Sequence, residues 1–202
     1  MSENKSCSTG SCGCSSTVEH NQSRTTEAQF EKKRSVQIDF LYLDLEVCSP
    51  CRNTESNIEN ALNEAAGILK TTGVEVRVRK THVESLEQAI QLGFLTSPTV
   101  RINSKDLQLE FKENHCATCS QVSGTDTDCR VWLYQGQEYS APPKPMIIEA
   151  VLQEVYSGSR SEPAKIVRPE NALQNLARFF ESKRQNELAG AVRQIAKVES
   201  SV

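Results

Sequence analysis

The chain has 202 residues, with 23 lysines and arginines against 26 aspartates and glutamates and a formal net charge of -3. That length suits one domain of ordinary size plus tails, and the near balance of charge excludes the basic footprint of a nucleic-acid-binding domain. Eight cysteines stand in a chain with no apolar run of membrane-spanning length and no secretory-type apolar segment near its start. A soluble, cytoplasmic protein with no membrane partner is expected, its thiols kept reduced for redox chemistry or soft-metal binding and not for scaffold disulfides.

Residues 1–34 read as a disordered Cys/Ser-rich arm, because serines crowd it and almost nothing apolar is available to bury. Within it, Cys7, Cys12 and Cys14 either wrap a soft ion such as Cu(I), Zn(II), Hg(II) or As(III), which thiolates prefer, or are incidental thiols of a solvated tail. From Ser35 the pattern changes. Val36, Ile38, Phe40 and Tyr42 alternate with Gln37, Asp39 and Leu41, the period of a strand, and Leu41 and Leu43 make the second face apolar too. A strand apolar on both faces belongs in the middle of a sheet covered by helices.

Cys48-Ser49-Pro50-Cys51 follows, directly before a helical run carrying Ile58, Ala61, Leu62, Ala65 and Leu69 on one face and stopping at Gly73. Pro50 falls in the first turn, where its missing N–H costs nothing. The start of a helix stabilises an anion through its unpaired N–H groups and dipole, so Cys48 is the natural thiolate of the pair. Val74, Val76 and Val78 alternate with charged residues as a second strand, expected to run parallel to the first. A short helix with Ser85 at its start ends near Gly93, and Ser97-Pro98-Thr99-Val100 leads a third strand that turns at Asn103-Ser104.

The order strand, Cys48-x-x-Cys51 at a helix start, strand, helix, then Ser97-Pro98-Thr99-Val100 leading a strand, resembles the thioredoxin superfamily. The resemblance covers about residues 35–157. It implies an α/β, thioredoxin-like fold, a mixed sheet with flanking helices, in which Cys48 is the nucleophile, Cys51 the resolving thiol and Pro98 a cis-proline whose backbone helps bind an extended substrate segment. Val47 departs from the aromatic residue that often precedes the first cysteine in thioredoxins. Asp39 is off the spacing of the buried acid that assists proton transfer there, and reads as a satisfied or exposed strand aspartate.

An insertion at about 108–130 separates the proline-led strand from the last hairpin, and it carries Cys116, Cys119 and Cys129. This Cys-x2-Cys-x9-Cys pattern is similar to that of a poorly characterised group of small microbial thioredoxin-like proteins with a second cysteine cluster at this place. Trp132, Tyr134 and Tyr139 read as hairpin packing, and a closing helix bears Met146, Ile147, Ala150, Val151 and Val155. Residues 158–202 read as a linker and an amphipathic helical tail: after the linker, Ser157 to Pro169, come two stripes, Leu173, Leu176, Ala177 and Phe180, then Leu188, Val192, Ile195 and Ala196. These form one or two helices that fold back on the domain, make a homodimer or dock on a partner protein.

Two chemistries compete. In the leading one the chain is a thiol-disulfide oxidoreductase, needing no cofactor, whose Cys48 thiolate attacks a disulfide in a protein or small thiol before Cys51 resolves the mixed disulfide. In the other, Cys116, Cys119 and Cys129 bind a soft metal or metalloid such as Zn, Hg, As or Cu(I). His115 is a poor fourth ligand, since its neighbour Cys116 strains any shared tetrahedral geometry, and three sulfurs alone suit a trigonal soft ion better than a structural zinc.

Overall fold

The structure, a computed structural model, describes residues 34–157 and 172–199. The Cys7, Cys12 and Cys14 cluster of the arm and nearly all of the expected linker lie outside the described residues.

The apolar alternation of the first strand decides the layering. β1 (Ser35–Tyr42) is central in a four-stranded sheet of order β2-β1-β3-β4, with β2 (Glu75–His82), β3 (Thr99–Ile102) and β4 (Lys105–Asp106). β1 runs parallel to β2 and antiparallel to β3, and β3 turns into antiparallel β4 through Asn103 and Ser104, both with positive φ (48° and 67°). Val36, Ile38 and Phe40 share one core with Val100 and Ile102 and with two helices, α1 (Ser49–Thr71) and α4 (Lys144–Tyr156). Ile58, Ala61, Ala65 and Leu69 of α1 meet Met146, Ile147, Val151 and Val155 of α4 there, on the helical face the spacing predicts. Leu41 and Leu43 enter a second core with Val83, Phe94 and α2 (Leu86–Gln91), which Ser85 caps through the Gln88 N–H. This is a mixed α/β architecture compatible with the thioredoxin-like fold.

The second core is closed by α5 (Ala172–Glu199), one continuous helix whose Leu176 and Phe179 are fully buried against it. The first amphipathic stripe therefore folds back on the domain, whereas Leu188, Val192 and Ile195 of the second stripe are exposed. β2 is an edge strand whose middle, Val78 included, is open to solvent. The hairpin of β7 (Trp132–Tyr134) and β8 (Gln137–Tyr139) forms a two-stranded sheet of its own, because β4 already completes the main sheet. Trp132 is nonetheless fully buried in the first core, with Tyr134 and Tyr139 packed beside it, as the packing reading of these aromatics expects. Asp39 is buried, and its carboxylate accepts from the Arg79 Nε at 2.9 Å, so it is the satisfied strand aspartate.

The insertion is ordered. β5 (Glu113–His115) pairs with β6 (Asp128–Arg130), and α3 (Ala117–Ser123) lies between them. Arg130 locks this unit to the sheet. Its guanidinium forks onto Asp106 at 2.6 and 3.0 Å with both side chains buried, its carbon lies 4.4 Å from the centre of the Trp132 ring, and its own N–H donates to the Ser97 carbonyl at 2.8 Å. From the other side, the buried Asn175 of α5 accepts from the Asp128 N–H at 3.0 Å and donates to the Asp128 carbonyl at 2.8 Å, as an added strand would. Breaking a buried pair leaves a desolvated charge without compensation. Arg130→Ala, which strands the Asp106 carboxylate, is expected to cost about 3–5 kcal/mol in urea unfolding; an unchanged midpoint would show that the fork holds nothing together.

Candidate metal centre

Two Cys-x-x-Cys segments open two helices. Cys48 is the N-cap of α1 with Cys51 in its first turn, and Cys116 is the N-cap of α3 with Cys119 in its first turn. Neither N-cap sulfur caps a backbone N–H of its own helix, and both lie at the ends where helix dipoles favour negative charge. The approach to Cys48 is shaped by Asp44, whose carboxylate accepts from the N–H groups of Val47 at 2.6 Å and Cys48 at 3.2 Å. The two helix starts are joined by Thr118, whose hydroxyl accepts from the Ser49 N–H at 3.3 Å and lies 3.4 Å from the Cys116 sulfur. β6 brings in Cys129 through the insertion's own bonds, among them Cys116 N–H to the Thr127 carbonyl at 2.9 Å.

The result is one cluster of five free, buried thiols, roofed by Tyr42 and Leu45. Sγ of Cys48 lies 3.1 Å from those of Cys51 and Cys119, and Cys119 lies 3.1 Å from Cys129. The sulfurs of Cys48, Cys116, Cys119 and Cys129 all fall within 4.8 Å of one another. A tetrahedral ion with metal–sulfur bonds of about 2.3 Å separates its sulfurs by about 3.8 Å, so these four thiols can hold one metal ion.

Residues 36–151 match a family described as a domain of unknown function, DUF2703. The chain belongs to the DUF2703 family. No curated protein and no solved structure matches it. The DUF2703 match takes in β1, α1 and the whole cysteine-bearing insertion, and therefore every sulfur of the cluster, while α5 lies beyond it.

Of the residues singled out in the sequence, Cys48 and Cys51 are adjacent, and the Ser97–Pro98 peptide is cis, with the Ser97 hydroxyl 3.4 Å from the Cys51 sulfur. Cys116, Cys119 and Cys129 are brought together as well. Sequence reasoning allows Cys48 to pass electrons or a soft ion to these three but does not count it in their ligand set; its sulfur makes the set one of four. That reasoning missed Thr118 and Asp44 as the groups that aim the helix starts. A signal existed in the recurrence of Cys-x-x-Cys at a helix start, at 48–51 and again at 116–119. His115 is exposed and stands outside the set, consistent with its rejection as a ligand.

The buried thiols shift one another's acidity in opposite directions. Cys116 is held far below the ordinary thiol value by hydrogen bonds from Cys119 first, then Cys129 and Cys48. Cys48 is pushed up to about 12, chiefly by its bond to Cys116 and then to Cys119. Cys129 is raised mainly by Cys116, and Cys51 by its contact with Cys48 and then by burial. Cys48 is thus neither solvent-facing nor acidic, unlike the low-pKa nucleophile that a helix start alone would favour. Each thiol that becomes a thiolate ligand gives up its proton to make way for the cation. Zinc titration of the reduced apoprotein near pH 7, followed calorimetrically in buffers of different ionisation enthalpy, is expected to release protons on binding and to weaken as pH falls. Release of none would show that no thiolate is formed.

Proposed function

We propose that this chain binds one soft metal ion or metalloid through the thiolates of Cys48, Cys116, Cys119 and Cys129. The observation that carries the reading is the convergence of four buried sulfurs, from two helix starts and one strand, within 4.8 Å of one another. Thiolates select soft and borderline ions, and a four-sulfur tetrahedral set suits Zn(II) best among them. Hg(II), As(III) and Cu(I) are thiophilic competitors for the same sulfurs. A closed set of four protein ligands leaves no open position for an activated water, so the ion serves to hold the domain together or is itself the cargo. As a structural ion it would supply part of the folding free energy of the insertion.

Thiol-disulfide exchange with a protein disulfide or small thiol is the second reading. It is favoured by the 3.1 Å contact between Cys48 and Cys51 and by the Ser97 hydroxyl 3.4 Å from the Cys51 sulfur. Against it stands the burial of both sulfurs, each with 0% exposure, which denies a bulky disulfide in-line access. Metal analysis of the full chain purified without oxygen separates the two. About one zinc per chain, lost in Cys119→Ser and kept in Cys51→Ser, is the outcome expected of a closed four-cysteine site. A metal-free protein that takes up no zinc, but reduces a disulfide with turnover lost in Cys48→Ser, would overturn the metal reading in favour of the second.

A further inference from the structure

Among the cluster's sulfurs, Cys51 alone stands outside the four-sulfur set, and it touches a member of that set. Its Sγ lies 3.1 Å from that of Cys48 and 3.4 Å from the Ser97 hydroxyl, and it is fully buried. Cys48 therefore belongs to two arrangements at once: the four-sulfur set with Cys116, Cys119 and Cys129, and the Cys-x-x-Cys pair with Cys51. The two uses exclude each other, because a sulfur in a disulfide has no thiolate charge left for an ion. We infer that Cys51 is a redox release device for the ion: joining Cys51 to Cys48 as a disulfide removes one of the four ligands and ejects the metal.

This inference rests on the metal-binding reading. It also explains why the fifth thiol sits where it does. In the loaded state the four ligand sulfurs share the ion's charge, and Cys51 is the one free thiol of the cluster in reach of a ligand. A disulfide between two of the ligands would use up half the set, whereas one with Cys51 costs a single ligand and leaves Cys116, Cys119 and Cys129 to receive the ion again on reduction. Burial selects the oxidant. With neither sulfur exposed, a two-oxygen oxidant such as hydrogen peroxide needs far less room to reach the pair than a peptide disulfide does.

The step balances as follows. The Cys48 thiolate attacks one oxygen of hydrogen peroxide, the O–O bond breaks, Cys48 becomes a sulfenic acid, and the departing hydroxide takes a proton from solvent to become water. Cys51 then attacks the Cys48 sulfur, the S–O bond breaks as the S–S bond forms, and the second oxygen leaves as water with the Cys51 proton. The two sulfurs lose two electrons, and the peroxide is reduced to two waters. A dithiol reductant returns the two electrons and restores the fourth ligand.

The test uses the full-length, zinc-loaded protein and hydrogen peroxide, with released zinc read by a chromogenic chelator and the disulfide located by peptide mass spectrometry. Wild type is expected to lose its zinc with one disulfide mapped to Cys48–Cys51, and to rebind zinc after reduction. Cys51→Ser and Cys51→Ala, whose retained zinc reports an intact site, are expected to release it at least about tenfold more slowly, since no resolving thiol is present. Equal release from wild type and both variants, or a disulfide confined to Cys116, Cys119 and Cys129, would overturn the release device while leaving the metal site standing. Wild type that never holds zinc would overturn both, and is told apart from the former by the metal content before peroxide is added.

Discussion

Four thiols packed into one apolar pocket cannot all ionise against one another. Burial penalises each thiolate and each neighbouring charge penalises the next: hydrogen bonds from its neighbours hold the Cys116 thiol low, while those of Cys48 and Cys129 are pushed up. Much of the domain is arranged around that constraint. Two helices direct their positive ends toward the sulfurs, Thr118 ties the two helix starts together, and Tyr42 and Leu45 keep water from the pocket. A soft cation relieves the constraint in a way that no further hydrogen bond does, since it compensates several thiolates at once.

Holding sulfurs from distant parts of the chain in one place requires the insertion to be fixed on both sides. Arg130 does so from the sheet: the residue after Cys129 forks onto Asp106, lies against Trp132 and bonds through its backbone to Ser97, the residue that also touches Cys51. Asn175 does so from the C-terminal helix by pairing with both backbone groups of Asp128, the residue before Cys129. At the far end of α3, Asn186 donates to the Ser123 carbonyl at 2.7 Å, where Gly124 ends the helix with φ of 74°. The left-handed φ at Gly124 favours a glycine, and a Cβ there would meet the Asn186 amide at 2.4 Å and push it off its bond to Ser123. The first half of α5 is therefore part of the scaffold of the thiol cluster, not a free docking arm.

The β-α-β order, the central position of β1 and the inward face of α1 were legible because they are local periodicities: an apolar run on both faces of β1, and Ile58, Ala61, Ala65 and Leu69 on one helical face. The pairing of Cys48 with Cys51 was legible for the same reason, since three residues separate them. What escaped was long-range. Nothing in the neighbourhood of Cys48 says that Cys119, far along the chain, contacts it, nor that an arginine and an asparagine from opposite sides clamp the residues flanking Cys129. The separate hairpin sheet escaped because β4 is too short for its alternation to be read. The burial of Phe179, outside the stripe of Leu173, Leu176, Ala177 and Phe180, reflects a helix covering a core broader than one stripe.

The most direct test of the four-thiolate centre is X-ray absorption at the zinc edge of the loaded, reduced full-length protein. The account requires a single shell of about four sulfurs at about 2.3 Å, with no nitrogen or oxygen in it. A shell with two or fewer sulfurs, or one mixed with light atoms, would contradict the claim that Cys48, Cys116, Cys119 and Cys129 form one site.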